Sequence, residues 1–174
     1  MSNEKKEFGP KALILGSSGF LGSYFFRYPN SIGISRSTGS GDYKIDLFSK
    51  EYLRRIEGIA EKTKPAVIIN CMAVTSIEHC ERDPVYAKFI NSDFPGSIAK
   101  LTTTMNIPFV HFSTDAVFDG KNSPYSEEDS PSPISQYGIT KLQGENNVLT
   151  NNPGALVLRT NFFGFSFQKS SLFN

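Results

Sequence analysis

Short apolar runs without polar alternation recur along the chain, each followed by a stretch with helical spacing, and this pattern leaves few folds open. A strand that reads as continuously apolar is one covered on both faces, which is the condition of a strand inside a parallel sheet flanked by helices. Strands are predicted at "KALIL" (residues 11–15), "SIGIS" (31–35), Tyr43 to Leu47, "PAVIINCMA" (65–73, apolar until Asn70), "IPFVHFS" (107–113) and "GALVLRT" (154–160). Helical spacing is predicted from Phe20, Leu21, Tyr24 and Phe25, stopped at Pro29-Asn30. A second helix runs from about Ser49 as its cap to Lys62. Residues 76–105 read as helical with breaks at Pro84 and Pro95, and "QYGITKLQGENNVL" (136–149) is the last helix. Strand and helix alternate throughout, with no internal repeat and no linker. The expected fold is therefore α/β, one doubly wound parallel sheet with right-handed crossovers and helices on both faces.

Within that frame the first turn is distinctive. "LILGSSGFLG" places Gly16, Gly19 and Gly22 three apart, after the first strand and opening the first helix. In a Rossmann-type fold each has a mechanical reason: Gly16 for the tight turn, Gly19 for main-chain approach to a diphosphate, and Gly22 for close packing of helix on strand. The helix start offers unpaired N–H groups to the phosphates. After the second strand the chain reads "ISRS", with Ser35, Arg36 and Ser37 and no acid until Asp42. An arginine there accommodates a ribose 2′-phosphate where a carboxylate would repel it, so the pattern favours NADP(H), with NAD(H) also open and a solvated surface arginine as the plain alternative. Asp46 is placed either to cap the following loop or to meet the adenine edge.

A second constellation follows. Tyr137 and Lys141 lie four apart on a predicted helix, hence on one face. A nearby ammonium favours the ionised phenol, so Lys141 is expected to lower the pKa of Tyr137, which then protonates a carbonyl oxygen as hydride arrives from a nicotinamide. Lys141 is also suited to the ribose hydroxyls. Thr114, just past the fifth strand, sits at the carboxyl end of a strand, where open α/β sheets present reacting groups, and its hydroxyl is suited to orienting the substrate oxygen. The bland alternative is that Tyr137 packs and Lys141 pairs with Glu145. Gly138 and Gly144 inside this helix imply close approach of a neighbour or cofactor.

Composition narrows the function further. Lys+Arg 18 against Asp+Glu 17 gives a near-neutral molecule without a basic run, so no nucleic-acid surface is expected. No apolar stretch approaches membrane length, and the polar start "MSNEKKEFGP" lacks a signal-peptide core, so a cytoplasmic protein is expected. Cys71 and Cys80 are expected as reduced thiols. The spacing of His79 and His111 gives no support to a zinc site with them, so no metal is expected.

The runs "GSSGFLG", "INCMAVTSIEHCERDP", "NSDFPGSIAK", "FVHFSTDAVFDGKNSPYSEEDSPSPISQYGITKLQGE" and "LVLRTNFFG" resemble the extended short-chain dehydrogenase/reductases, most closely the dTDP-4-dehydrorhamnose reductases and related nucleotide-sugar reductases, over about residues 11–165. That resemblance implies catalytic roles for Thr114, Tyr137 and Lys141. It implies a pyrophosphate seat at Gly16, Gly19, Phe20, Leu21 and Gly22, an adenosine-ribose seat at Ser35 and Arg36, and an adenine seat at Asp46 and Leu47. Cys71, Met72 and Ala73 would flank the cofactor, and Arg159, Thr160 and Asn161 would lie near the nicotinamide. The implied organisation is a leader (1–10), a dinucleotide-binding domain (11–165) and, from 166, the start of a sugar-binding lobe, without which a 174-residue form is expected to bind cofactor without turnover. The implied activity is NADP(H)-dependent reduction of a nucleotide-activated 4-keto-6-deoxy sugar, and relatives of this kind often form homodimers. Two alternatives share the apparatus. One is an epimerase or dehydratase, disfavoured because Asp115-Ala116 after Thr114 leaves a single acid and no Glu. The other is a binding module similar to the regulatory subunit of methionine adenosyltransferase.

Overall fold

The computed structural model describes residues 9–36 and 41–162; the expected start of a second lobe at 166 lies outside them, as does nearly all of the expected leader. Six strands form one sheet in the order β3-β2-β1-β4-β5-β6, and every neighbouring pair is parallel. The strands are β1 (Ala12–Leu15), β2 (Ser31–Ser35), β3 (Tyr43–Lys44), β4 (Val67–Asn70), β5 (Phe109–Ser113) and β6 (Leu156–Arg159). The chain winds outward from β1 to β3, returns to the other side of β1 and winds outward again. The β1/β4 junction is therefore the switch point at which a crevice opens beyond the carboxyl ends of the strands.

The helices are α1 (Phe20–Phe25), α2 (Tyr52–Thr63), α3 (Ile77–Arg82), α4 (Pro84–Lys88), α5 (Phe94–Met105) and α6 (Gln136–Asn151). Right-handed crossovers put α1 on one face of the sheet and α2 to α6 on the other. The main core lies on the second face. Leu13 and Leu15 of β1, Ile68 of β4 and Phe109 of β5 pack there against Ile56 of α2, Ile98 of α5 and Val148 of α6. Helices thus stand on both faces, but unequally: among the described residues the opposite face carries α1 alone.

Three local expectations are adjusted. β3 ends at Lys44 rather than Leu47, since only Tyr43 and Lys44 register with β2. α2 begins at Tyr52, three residues after Ser49, whose hydroxyl accepts from the Glu51 amide in a turn ahead of the helix instead of capping it. Pro95 does not break the long helical stretch. It cannot donate to the Asn91 carbonyl four residues back, and the chain widens into a π-helical turn over Phe89–Asp93 that carries the helix through to α5. No helix among the described residues is long and apolar enough to cross a membrane.

Candidate functional site

The glycine turn closes as its spacing requires. Gly16 adopts φ 86, a left-handed conformation that L side chains rarely take, and its amide continues the sheet by donating to the Ile34 carbonyl at 2.8 Å. A Cβ at Gly22 would stand 2.1 Å from the Gly16 carbonyl oxygen, so α1 can sit this close to β1 only with glycine there. Gly22→Ala is expected to push α1 off the turn, costing about 1–3 kcal/mol of stability as an overpacked site and weakening dinucleotide binding at least tenfold. A melting curve and a titration of the variant with NADPH check both.

A cleft of about 430 Å³, open to solvent, lies at the carboxyl edge of the sheet. Gly16, Ser18, Gly19, Arg36, Leu47, Cys71, Met72, Ala73 and Ile90 line it. Seven of these are residues singled out from the sequence, gathered from the ends of β1, β2 and β4 and from the loop before α2. Ser18 and Ile90 are additions. Phe20, Leu21, Gly22, Ser35 and Asp46 do not line the cleft. Phe20 packs edge-on against Tyr24 at 5.6 Å, Leu21 is half-buried on α1, and Gly22 faces the turn. Ser35 is buried at the end of β2, while Asp46 is exposed and accepts from the Phe48 amide at 3.0 Å, the loop-capping alternative. The cleft is thus met by the turn ahead of α1, at Gly16, Ser18 and Gly19, and by no residue of the helix itself.

The second constellation assembles beside β5. Thr114 follows the strand and caps a short 3₁₀ turn (Asp115–Val117), accepting from the Ala116 amide at 3.1 Å and donating to Asp115 at 3.1 Å. The Tyr137 phenol lies beside the Thr114 hydroxyl, which favours its ionised form. α6 comes this near because its glycines permit it. A Cβ at Gly138 would meet the Ala116 carbonyl at 2.2 Å, and one at Gly144 would meet the Asn91 carbonyl at 2.1 Å. Both glycines therefore serve a neighbouring segment of the chain.

Lys141 does not act on Tyr137 as expected. Burial pushes the phenol up, the neighbouring Thr114 hydroxyl opposes this, and Lys141 is not among the groups that move it. The ammonium is instead directed to the Phe112 carbonyl at the edge of β5, with Cys71 of the cleft wall as an electrostatic neighbour. Its pairing with Glu145 is also absent, since that carboxylate is taken by Arg159. Burial lowers Lys141 to about 8, against the pull of Glu145 and Cys71, and burial raises Cys71 to about 12. A lysine with a folded pKa below its unfolded value disfavours folding below the folded pKa, and that cost fades as pH rises from about 8 towards 10.5. Lys141→Met is accordingly expected to be more thermostable than the parent at pH 7, with the two melting temperatures converging as the pH is raised from 7 to 10.

The cleft wall is held from behind by groups that local patterning did not reveal. Asn70 accepts from the Met72 amide at 3.1 Å and meets Nδ1 of buried His111 at 3.0 Å. Asn91, in the π-helical turn, pairs with both the amide and the carbonyl of Val74, at 2.8 and 3.0 Å, and reaches Thr140 of α6 at 3.2 Å. It ties the cleft wall to the helix carrying Tyr137. Arg159 forks onto Glu145, with Nη2 at 2.7 Å and Nε at 3.1 Å, and Ser113 donates to the same carboxylate. Arg159 is thereby committed to α6 instead of standing free near a ligand. Asn161 reaches Asp115 at 3.3 Å, and the Thr160 hydroxyl contacts the Asn161 carbonyl. Apart from Asn70 with Met72 and Thr160 with Asn161, these partners are 14 to 49 residues apart, beyond the reach of any periodicity. Cys71 and Cys80 are free thiols, and no cluster of three or more metal-ligating side chains occurs among the described residues.

Strand order, glycine turn and a crevice at the switch point define a Rossmann-type doubly wound α/β domain. The chain belongs to the family described as the RmlD substrate binding domain, which matches residues 10–169. It is 35% identical over 161 residues to the probable low-salt glycan biosynthesis reductase of Haloferax volcanii, covering 87% of this chain and 53% of that protein. It is also 35% identical over 152 residues to methionine adenosyltransferase 2 subunit beta of Bos taurus, covering 86% of this chain and 46% of the relative. Among solved structures, a hypothetical dTDP-4-dehydrorhamnose reductase from Sulfolobus tokodaii superposes with a TM-score of 0.75 at 35% identity, over 86% of this chain and 55% of the other. The chain thus spans about half the length of the curated relatives it matches.

Proposed function

We propose that residues 11–165 form the dinucleotide-binding part of a reductase acting on the keto group of a nucleotide-activated 4-keto-6-deoxy sugar, with NADP(H) preferred over NAD(H). The observation that carries this reading is the gathering, at the carboxyl edge of the sheet, of a glycine-floored cleft and of the neighbouring Thr114 and Tyr137 side chains. The cleft suits a dinucleotide: it opens at the carboxyl edge of the sheet, and two of its wall positions carry no side chain. Gly16, Ser18 and Gly19 would hold the diphosphate, Arg36 the ribose phosphate, Leu47 and Ile90 the apolar face of the base, and Cys71, Met72 and Ala73 the opposite wall.

A bound nicotinamide nucleotide supplies the hydride. Everything else falls to the protein. Tyr137, kept protonated by burial, is a proton donor for the carbonyl oxygen, and the neighbouring Thr114 hydroxyl is suited to orienting that oxygen. Lys141 stands behind the cleft wall at Cys71, and its role in this reading is to hold ribose hydroxyls with its ammonium. The names of the Haloferax and Sulfolobus relatives support reduction, and that of the bovine relative supports a second reading, a binding subunit that holds dinucleotide without turnover.

Titration with NADPH, followed by its own fluorescence, and then addition of a dTDP-4-keto-6-deoxy sugar to this chain and to a version extended at its C terminus separate the two readings. Binding with oxidation of NADPH in the extended form supports the reductase. Binding without oxidation there transfers the assignment to the regulatory subunit, and absence of NADPH binding removes both.

A further inference from the structure

Arg36 is the cationic side chain of the cleft lining, and it is exposed. An exposed arginine loses considerable rotamer freedom when it grips a ligand, so its selectivity for phosphate depends on what holds it beforehand. In this structure the holder is Tyr86, 50 residues away on α4, whose phenolic oxygen accepts a hydrogen bond from Nη1 of Arg36. Tyr86 does not line the cleft. We propose that Tyr86 is a positioning residue that sets the preference of this cleft for a dinucleotide bearing a ribose 2′-phosphate, by fixing the Arg36 guanidinium and leaving its Nε–Nη2 edge to fork two phosphate oxygens. The proposal rests on the dinucleotide reading above and adds to it the residue on which selectivity turns.

Three segments fix the tyrosine itself. Its amide is capped by Asp83 at 3.0 Å, at the start of α4. Its ring stacks on Phe48, from the loop before α2, at 5.9 Å and 25°, and lies 5.6 Å from the His79 ring of α3. Phe48 is stacked in turn on Phe89 at 6.0 Å. The hydroxyl is thus aimed by packing that would persist in its absence. Among the described residues no other group engages the Arg36 guanidinium. An arginine held at one Nη keeps a second pair of donors in the planar geometry that matches a phosphate, which a lysine or a freely rotating arginine does not offer.

Tyr86→Phe removes the acceptor and keeps the ring, so the stack with Phe48 and His79 is retained. Binding of NADPH and NADH to this chain, to Tyr86→Phe, to Arg36→Ala and to the double variant forms a complete cycle. Tyr86→Phe is expected to weaken NADPH about five- to tenfold, within the net range of a single hydrogen bond, and to leave NADH within twofold. In the Arg36→Ala background the same substitution is expected to change neither nucleotide. A Tyr86→Phe variant that keeps the parental NADPH-to-NADH ratio, or weakens both nucleotides equally, overturns the role of Tyr86 while leaving the dinucleotide reading intact. A further loss of NADPH affinity in the double variant overturns action through Arg36. A parent chain that binds both nucleotides equally overturns the proposal and the NADP(H) preference together, and one that binds neither overturns the whole reading.

Discussion

Glu145→Ala is expected to destabilise the fold by about 3 kcal/mol, since removing one partner of a buried ion pair leaves the other charge without compensation. The Glu145 carboxylate is 3% exposed. It accepts two hydrogen bonds from Nε of Arg159, at 3.1 Å each, one from Nη2 at 2.7 Å, and one from the Ser113 hydroxyl. It thereby joins α6 to the ends of β5 and β6. Truncation strands a guanidinium that is partly covered by Phe118, 5.2 Å from the ring centre, and leaves a buried serine hydroxyl without its acceptor. For a chain of this size such a loss corresponds to a fall of roughly 6–12 °C in the melting temperature. Glu145→Gln, which keeps the shape and one acceptor oxygen, is expected to lose less. A fall under about 2 °C for the alanine variant would contradict the structural role given to this carboxylate.

Tyr137→Phe is expected to lower kcat for NADPH oxidation by about 10²-fold or more, the usual contribution of a positioned proton donor, while leaving NADPH affinity within twofold. The split follows from where the phenol stands. Its ring packs against the main core and persists in the variant, whereas its hydroxyl lies beside Thr114 at the carboxyl edge of β5, and Tyr137 is absent from the cleft lining. The measurement compares turnover and nucleotide binding in the C-terminally extended form. Unchanged turnover would remove Tyr137 from the reaction, and a parallel loss of NADPH affinity would make it a binding residue instead.

The two kinds of residue differed in how readable they were. Gly16 and Gly22 stood out because a backbone constraint acts within six residues: a left-handed turn and a carbonyl 2.1 Å from the missing Cβ are consequences of local chain path. Thr114, Tyr137 and their placement at one strand edge were likewise legible, since strand five ends next to the first and helix spacing brings the second to the matching face. Lys141 was legible as a position and not as a partner. Its ammonium is four residues from the phenol in sequence, yet its length lets it reach back beneath β5 to the Phe112 carbonyl, and burial rather than charge pairing sets its pKa.

Asn91, Glu145 with Arg159, and Tyr86 with Arg36 carried no such signal. Each joins segments that meet only when the helices dock on the sheet, and an asparagine or tyrosine that fixes a distant backbone or guanidinium looks locally like any other polar side chain.

The amino-acid sequence by itself determined the parallel α/β architecture, the conformation of the first turn and the edge of the sheet at which chemistry-bearing residues gather. Apolar runs, glycine positions and helical spacing act over a few residues, where steric rules are strong. Tertiary structure alone decided which side chains face the cleft, which are consumed in holding it together, and which proton-bearing groups are shifted by burial. Those outcomes depend on desolvation and on contacts between segments tens of residues apart, which exist only once the sheet has closed against its helices.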